Sequence, residues 1–330
     1  MPPFDLFDAP SLDGLRVTVP GPPTVMKEDV VARIEQLRTD LGQAEELPPG
    51  TPVAEGDQVV LDSVGFVGGK VLAFSAVAGQ RMTLKPDPEL PGYAESLVGM
   101  EVGGKRRIQL HLPPTWPEIG RRVSEAEFDV ELKSARRITR AAVMDPAFLE
   151  KLGGGSLDEV GQRLAQQIAE ERLHEAEGRA VQEVVGKLAS RVGWVPPAAD
   201  IDAEIEARWQ EAEGDLLEAR QLPEGMRREA LEAWLTKARL REEVAQQLKE
   251  ARVLESVAEQ EGVEVDPGNL MEEAKPVLAA QGLTAEQAWE RMEKDPRFRA
   301  QLTEQVRRYK TVELVMSRAK AKVSTSVWGI

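Results

Sequence analysis

The sequence has no cysteine and only two histidines, His111 and His174, among 330 residues. That excludes disulfides, thiolate nucleophiles and Cys-ligated zinc, and it leaves too little imidazole for a His-rich metal centre. Aromatic residues make up only 5% of the chain, a thin supply for a dense enzyme core, while charged residues make up 30%. No apolar run approaches the roughly 18 residues that a membrane-spanning helix needs. The opening residues, Met1-Pro2-Pro3-Phe4-Asp5, lack the basic and apolar regions of a signal peptide. No Gly-rich phosphate loop of the Walker type occurs, so no nucleotide cycle is expected. These absences predict a cytoplasmic protein without cofactor or metal and without a membrane partner.

What the chain does have is acid. Its net charge of -15 opposes non-specific attraction to nucleic acid, so none is expected as a partner. Residues 1–50 hold 9 acidic and 4 basic side chains, residues 51–140 hold 12 of each, and residues 141–330 hold 36 and 26. A neutral middle is thus flanked by two acidic regions, and the periodicity changes at the same places.

In the first region, Leu15 to Val19 alternates apolar and polar residues before Pro20, Pro22 and Pro23. A short helix follows, with Val30, Ile34, Leu37 and Leu41 at helical spacing and Thr24 as its expected cap. Leu47-Pro48-Pro49-Gly50-Thr51-Pro52 then ends it. From Asp57 to about Arg137 the pattern is that of strands. Val59-Val60-Leu61 and Val64-Gly65-Phe66-Val67 lead to a hairpin turn at Gly68-Gly69. Arg107 to Leu112 and Phe128 to Leu132 alternate, and Leu90-Pro91-Gly92-Tyr93-Ala94-Glu95-Ser96-Leu97-Val98-Gly99-Met100 reads as a short helix.

Beyond Pro146 the sequence is helical. Leu157, Val160, Leu164 and Ile168 form one stripe, continued by Ala176, Ala180, Val184 and Leu188, with Ser156 and Glu159 spaced as a capping box. Ile201, Ile205 and Trp209 mark a helix after Pro196-Pro197. A third long helix is expected from about Arg227 to Gln260, a fourth after Pro267, and a last from about Arg297 to Lys322. The narrow stripes suggest arms or a loose bundle. The expected fold class is α+β multidomain: a mostly antiparallel sheet with one short helix, plus a mainly α-helical part with extended arms.

This series of motifs resembles the trigger factor family over about residues 14–322. Val59 to Gly69 is similar to the first hairpin of the family's FKBP-type prolyl isomerase domain. Leu90 to Met100 resembles its Ile-Pro-Gly-Phe-Glu helix, Leu112-Pro113-Pro114-Thr115-Trp116 its Phe-Pro-x-x-Tyr loop, and Phe128-Asp129-Val130 its closing strand. Val195-Pro196-Pro197 to Ile205 resembles the family's helix that begins Val-Pro-x-x-Leu. The resemblance implies a stub and linker helix packing with the helical domain (1–50), an FKBP-type isomerase-like domain (51–140) and a helical substrate cradle (141–330).

Prolyl isomerisation crosses a barrier of roughly 18–20 kcal/mol without nucleophile or metal, so an apolar cradle suffices. The resemblance makes Leu72, Leu90, Tyr93, Trp116 and Phe128 the pocket walls. The same residues also suit the plain core of a small sheet. Ser63 stands where the family has Phe or Tyr, and Ala73 where FKBP enzymes commonly carry an acid. These changes should weaken peptide binding by about a few kcal/mol. Isomerase activity is therefore left open and expected to be weak or vestigial.

The family docks on the ribosome through a Gly-Phe-Arg-x-Gly-Lys loop in an N-terminal domain. Here Gly65-Phe66-Val67-Gly68-Gly69-Lys70 has Val67 in place of the Arg and fits the isomerase hairpin. Residues 1–13 are too short for the docking domain, so ribosome binding by that hook is not expected. Implied partners are unfolded or newly made polypeptides, held by an ATP-independent holdase; its Met and Trp side chains suit adaptable contacts, and each suits interhelical packing as well. Two alternatives stand beside it: a free-standing prolyl isomerase, and a helical scaffold for one dedicated partner or for a second copy as a homodimer.

Overall fold

A computed structural model describes residues 8–21, 23–113 and 125–324. In chain order, strand β1 (Arg16–Pro20) precedes helix α1 (Lys27–Asp40) and strands β2 (Gln43–Glu46), β3 (Gln58–Val67), β4 (Lys70–Val71) and β5 (Val77–Thr83). Helix α2 (Tyr93–Leu97) leads to β6 (Lys105–His111) and the long β7 (Glu125–Thr139). Helices then follow: α3 (Pro146–Lys151), α4 (Leu157–Ser190), α5 (Ala198–Trp209), a π-helical turn (Gln210–Gly214), α6 (Asp215–Ala219), α7 (Glu224–Thr236) and α8 (Ala238–Gln260). The last are α9 (Leu270–Glu273), α10 (Lys275–Ala280), α11 (Ala285–Lys294) and α12 (Pro296–Arg318), with strand β8 (Lys320–Ser324) after them. An antiparallel sheet with a short helix, followed by a mainly helical body, is the expected α+β class.

By contact the chain divides into two compact units. One joins Met26–Ala165 with Ala198–Val244, and the other joins Met1–Val25, Gln166–Pro197 and Ala245–Ile330. The first holds the six-stranded sheet, ordered β2-β7-β3-β4, with β5 also paired to β3 and β6 to β7. All of its pairings are antiparallel. Alternation along β3 and β7 sends Val59, Leu61, Phe128, Val130 and Leu132 inward, where they meet Tyr93, Ala94 and Leu97 of α2. The hairpin turn falls on Gly68 and Gly69, both at positive φ (58° and 78°), as a two-residue turn between right-twisted strands requires. A smaller cluster in the same unit packs Ile34, Val30 and Leu37 of α1, and Leu41 just after it, on Phe148, Leu149, Val160 and Leu164.

Among the described residues, the second unit packs around two clusters. Ala180, Val184, Leu188, Val253, Val257 and Val315 close around Leu12, Leu15 and Val17. Leu270, Leu278, Met292, Phe298, Leu302 and Val306 form the other. Here β1 pairs in parallel with β8, Arg16 opposite Lys320.

Several local expectations are corrected. Thr24 does not cap α1: the N-cap is Met26, whose amide donates to the Asp29 carboxylate at 2.8 Å. Only half of the capping box before α4 forms: Ser156 Oγ accepts from the Glu159 amide, but the Glu159 carboxylate accepts from Gly155 rather than Ser156. The expected helix from Arg227 to Gln260 is two helices, broken at Lys237, which leaves helical backbone while its ammonium sits 3.7 Å from the Phe74 ring centroid. The helix expected after Pro267 is three short ones, and the last helix ends at Arg318 because the next residues pair with β1. Among the described residues, no helix is long and apolar enough to cross a membrane.

Candidate functional site

Four of the five expected pocket residues come together. Leu72 (5% exposed), Tyr93 (6%) and Phe128 (2%) share one core, and Leu90 packs against its edge, half-buried. Trp116 lies outside the described residues. Tyr93 opens α2 and meets Phe128 edge-to-face, ring centroids 5.5 Å apart and planes at 77°, a favoured aromatic geometry. Arg106 holds the end of α2 by donating to the carbonyls of Ser96 (2.7 Å) and Gly99 (3.1 Å), which fixes the floor beneath Tyr93.

The walls are mostly core. Ser63, in place of an aromatic, is buried in β3, and its hydroxyl lies beside that of Tyr93 without a well-formed hydrogen bond. Burial pushes the Tyr93 hydroxyl up, opposed by the Ser63 hydroxyl and the Arg220 guanidinium. Gly65 crosses tightly here: a Cβ on it would lie 2.7 Å from Ser75 Oγ and 2.9 Å from Phe128 Cε1.

The segment Leu72 to Ala76, beside the expected pocket, is tied down from two sides. Ser75 Oγ accepts from the Gly65 amide (2.9 Å) and donates to the Leu72 carbonyl (2.5 Å). Phe74 sits at φ +65°, a left-handed conformation that costs a bulky residue about 1–2 kcal/mol. Its ring stacks on Trp234 of α7 at 4.2 Å, and Lys237 lies over it. Glu213, in the π-helical turn and 1% exposed, accepts from the Ala76 amide (3.1 Å) and from the Trp234 indole (2.9 Å). Burial pushes its carboxyl above the usual carboxylate range, against the pull of the Ala76 amide, the Trp234 indole and the amides of Ser75 and Phe74. Arg220, after α6, donates to the carbonyls of Asp62 and Asp129, both at 3.2 Å.

Sequence reasoning did not single out Glu213, Phe74 or Arg220. A signal existed for one: Glu213 falls four residues after Trp209, on the stripe Ile201, Ile205, Trp209. A charge on a buried stripe points to a polar partner.

Gly65 to Lys70 is the end of β3, its turn and the start of β4, with Lys70 paired to Glu229 of α7 at 3.3 Å. It is a sheet hairpin. A groove of about 390 Å3 elsewhere on the sheet is lined by polar and apolar residues including Glu46, Gln58, Val60, Arg81 and Arg136. It contains none of the pocket walls, and its polar rows suit solvent. Among the described residues, no group of three or more acids and histidines could hold a metal ion.

Two family models match. One, described as FKBP-type peptidyl-prolyl cis-trans isomerase, covers residues 50–133. The other, described as bacterial trigger factor protein C-terminus, covers residues 156–317. The trigger factor of Sphingopyxis alaskensis is 28% identical over 212 residues, 63% of this chain and 38% of that protein. That of Anaeromyxobacter dehalogenans is 27% identical over 313 residues, 93% of this chain and 71% of that protein. A solved structure of the trigger factor chaperone aligns over 94% of this chain and 72% of its own, at 17% identity and a TM-score of 0.35. The chain spans about two fifths of the length of the first curated relatives it matches. With an isomerase-type domain and then a trigger factor C-terminus in one chain, the protein has the order of domains seen in its trigger factor relatives.

Proposed function

We propose that this protein is a cytoplasmic, ATP-independent chaperone that holds unfolded polypeptides, with a weak or vestigial prolyl isomerase pocket. The observation that carries the second half is the burial of Leu72, Tyr93 and Phe128. Walls so nearly closed leave little surface for a proline ring, and Ser63 removes an aromatic face. The match to a trigger factor C-terminus over 156–317 supports the first half. In this reading residues 141–330 supply most of the client surface, 51–140 the isomerase-like part, and 1–50 pack with the helices. Exposed apolar side chains such as Met144, Val195 and Trp289 are available for scattered contacts.

We also propose that Gly65 to Lys70 is no ribosome hook, since its residues serve the β3–β4 hairpin. The test of holding is suppression of aggregation of several unrelated unfolded proteins by the full chain, at stoichiometric amounts and without nucleotide. Capture of one folded partner only, with no suppression, would sink the holdase reading in favour of a dedicated scaffold. Co-sedimentation with ribosomes that survives high salt and is lost on Phe66→Ala would overturn the hairpin reading.

A second reading, an active isomerase, is favoured by the retained Tyr93–Phe128 pair. A protease-coupled proline-peptide assay separates the two: a rate well above the uncatalysed one, lost in Tyr93→Ala, would establish catalysis.

A further inference from the structure

The isomerase-like pocket is joined to the helices behind it through the segment Leu72–Ala76. Leu72 is a pocket wall, and its carbonyl accepts from Ser75 Oγ. Ser75 Oγ in turn accepts from Gly65, the residue over which Phe128 lies too close for any side chain. On the other side of the same segment, Phe74 is stacked on Trp234, and the Ala76 amide ends on Glu213. Glu213 reaches this position because a π-helical turn at Gln210–Gly214 interrupts the line of α5 and α6. Such turns recur where a helix must aim a particular side chain. The carboxylate is fully buried, and its two oxygens take different donors, Ala76 on one and Trp234 on the other. A buried acceptor with directional partners on two elements fixes their relative position more firmly than apolar contact does.

We infer that Glu213, with Trp234, is a positioning residue for the pocket: it holds the rim Phe74–Ala76 and thereby sets Leu72 and the way an extended polypeptide binds there. The inference rests on the reading that polypeptides use this pocket. It makes the helical stretch Ala198–Val244 part of the binding site although none of its residues needs to touch the peptide. It also gives a route by which a client in the pocket and a client on these helices affect one another. The carboxyl group that FKBP enzymes carry near Ala73 is absent here, and this rim is held instead by a carboxylate 140 residues away in sequence.

The test uses the full chain and a fluorescein-labelled apolar peptide containing one proline, with affinity read by anisotropy. Hydrogen exchange of the Phe74–Ala76 amides and the Trp234 indole resonance, identified by its loss in Trp234→Phe, report the clamp itself. Glu213→Gln should speed exchange at the rim, shift the indole resonance and weaken the peptide about tenfold, whereas Glu211→Gln, an exposed neighbour, leaves all three unchanged. Trp234→Phe keeps the ring stack and removes one donor, so it should give a smaller loss in the same direction; it also serves if Glu213→Gln fails to fold. A loosened rim with wild-type affinity would overturn the inference while leaving polypeptide binding intact. Wild-type binding that Tyr93→Ala leaves unchanged would show that peptides do not use the pocket, and both the reading and the inference would fall.

Discussion

The two compact units are built by different chemistry. Among the described residues, the sheet-bearing unit buries Tyr93, Phe128, Phe148, Trp209 and Trp234, while the other buries one aromatic, Phe298. The contrast in buried polar groups is sharper. In the second unit, Ser256 and Thr311 donate to the carbonyls of Arg252 and Arg307, four residues back in their own helices. Those bonds satisfy the hydroxyl and specify nothing about tertiary structure. In the first unit, Asp57 reaches Arg137, Ser75 reaches Gly65 and Glu213 reaches Ala76 and Trp234. There, polar bonds span 10 to 137 residues of chain and fix how elements meet. One unit is specified by direction, the other by volume. For a protein proposed to hold varied clients, the volume-specified unit is the more adaptable surface.

The largest effect should follow from breaking the directional unit at Trp234. Trp234→Ala removes a buried indole, about 3–5 kcal/mol for such truncations, and leaves Glu213 short of a donor. Thermal unfolding followed by circular dichroism measures it; a loss below about 1 kcal/mol would contradict the clamp. In the volume-specified unit, Leu302→Ala should cost about 2–5 kcal/mol but Leu302→Met under about 1.5 kcal/mol. Equal losses for the two would mean that shape, and not volume, governs that core. Gly65→Ala should cost about 1–3 kcal/mol, because its Cβ meets Ser75 and Phe128. Ser75→Ala in the same background should recover part of that loss.

The smallest effects are the pH dependences, which run in opposite directions. Glu213 is held above the ordinary carboxylate value of 4.5, so the folded state keeps its proton longer than the unfolded chain. Stability from this group is complete below 4.5 and is lost as pH rises through the raised value. For Asp57, burial pushes upward, but hydrogen bonds from Arg137 and the Ala54 amide hold it below 3.8. Its contribution is present above 3.8 and disappears as pH falls through the lowered value. Denaturant midpoints against pH, compared among wild type, Glu213→Gln and Asp57→Asn, should show each slope vanish in its own variant.

The sequence made the sheet legible because its signals are local: two glycines at a turn, alternation in β3 and β7, Pro-Gly before α2. The resemblance named Leu72, Leu90, Tyr93 and Phe128, and these meet in one core. What stayed hidden has causes far away in sequence. Nothing around Lys237 breaks a helix by itself; the break coincides with the cation over Phe74. Lys320–Ala321–Lys322 reads as a continuing helix, and only β1, some 300 residues earlier, makes it a strand. Glu213 stood on an apolar stripe, but its partner, the Ala76 amide, lies 137 residues earlier.

The β1–β8 pair has a consequence for the order in which the protein is made. One compact unit has every piece in hand once Val244 has been synthesised, since it runs from Met26 to that residue. The other needs Lys320–Ser324 to complete the partner of Arg16–Pro20. Closing a loop that long is slow relative to local contacts. During synthesis, therefore, the directionally locked unit matures first, and the cluster around Leu15 and Val17 lacks Val315 and the partner of β1 until the last helix arrives. A chain proposed to hold unfolded segments would, until then, carry one of its own.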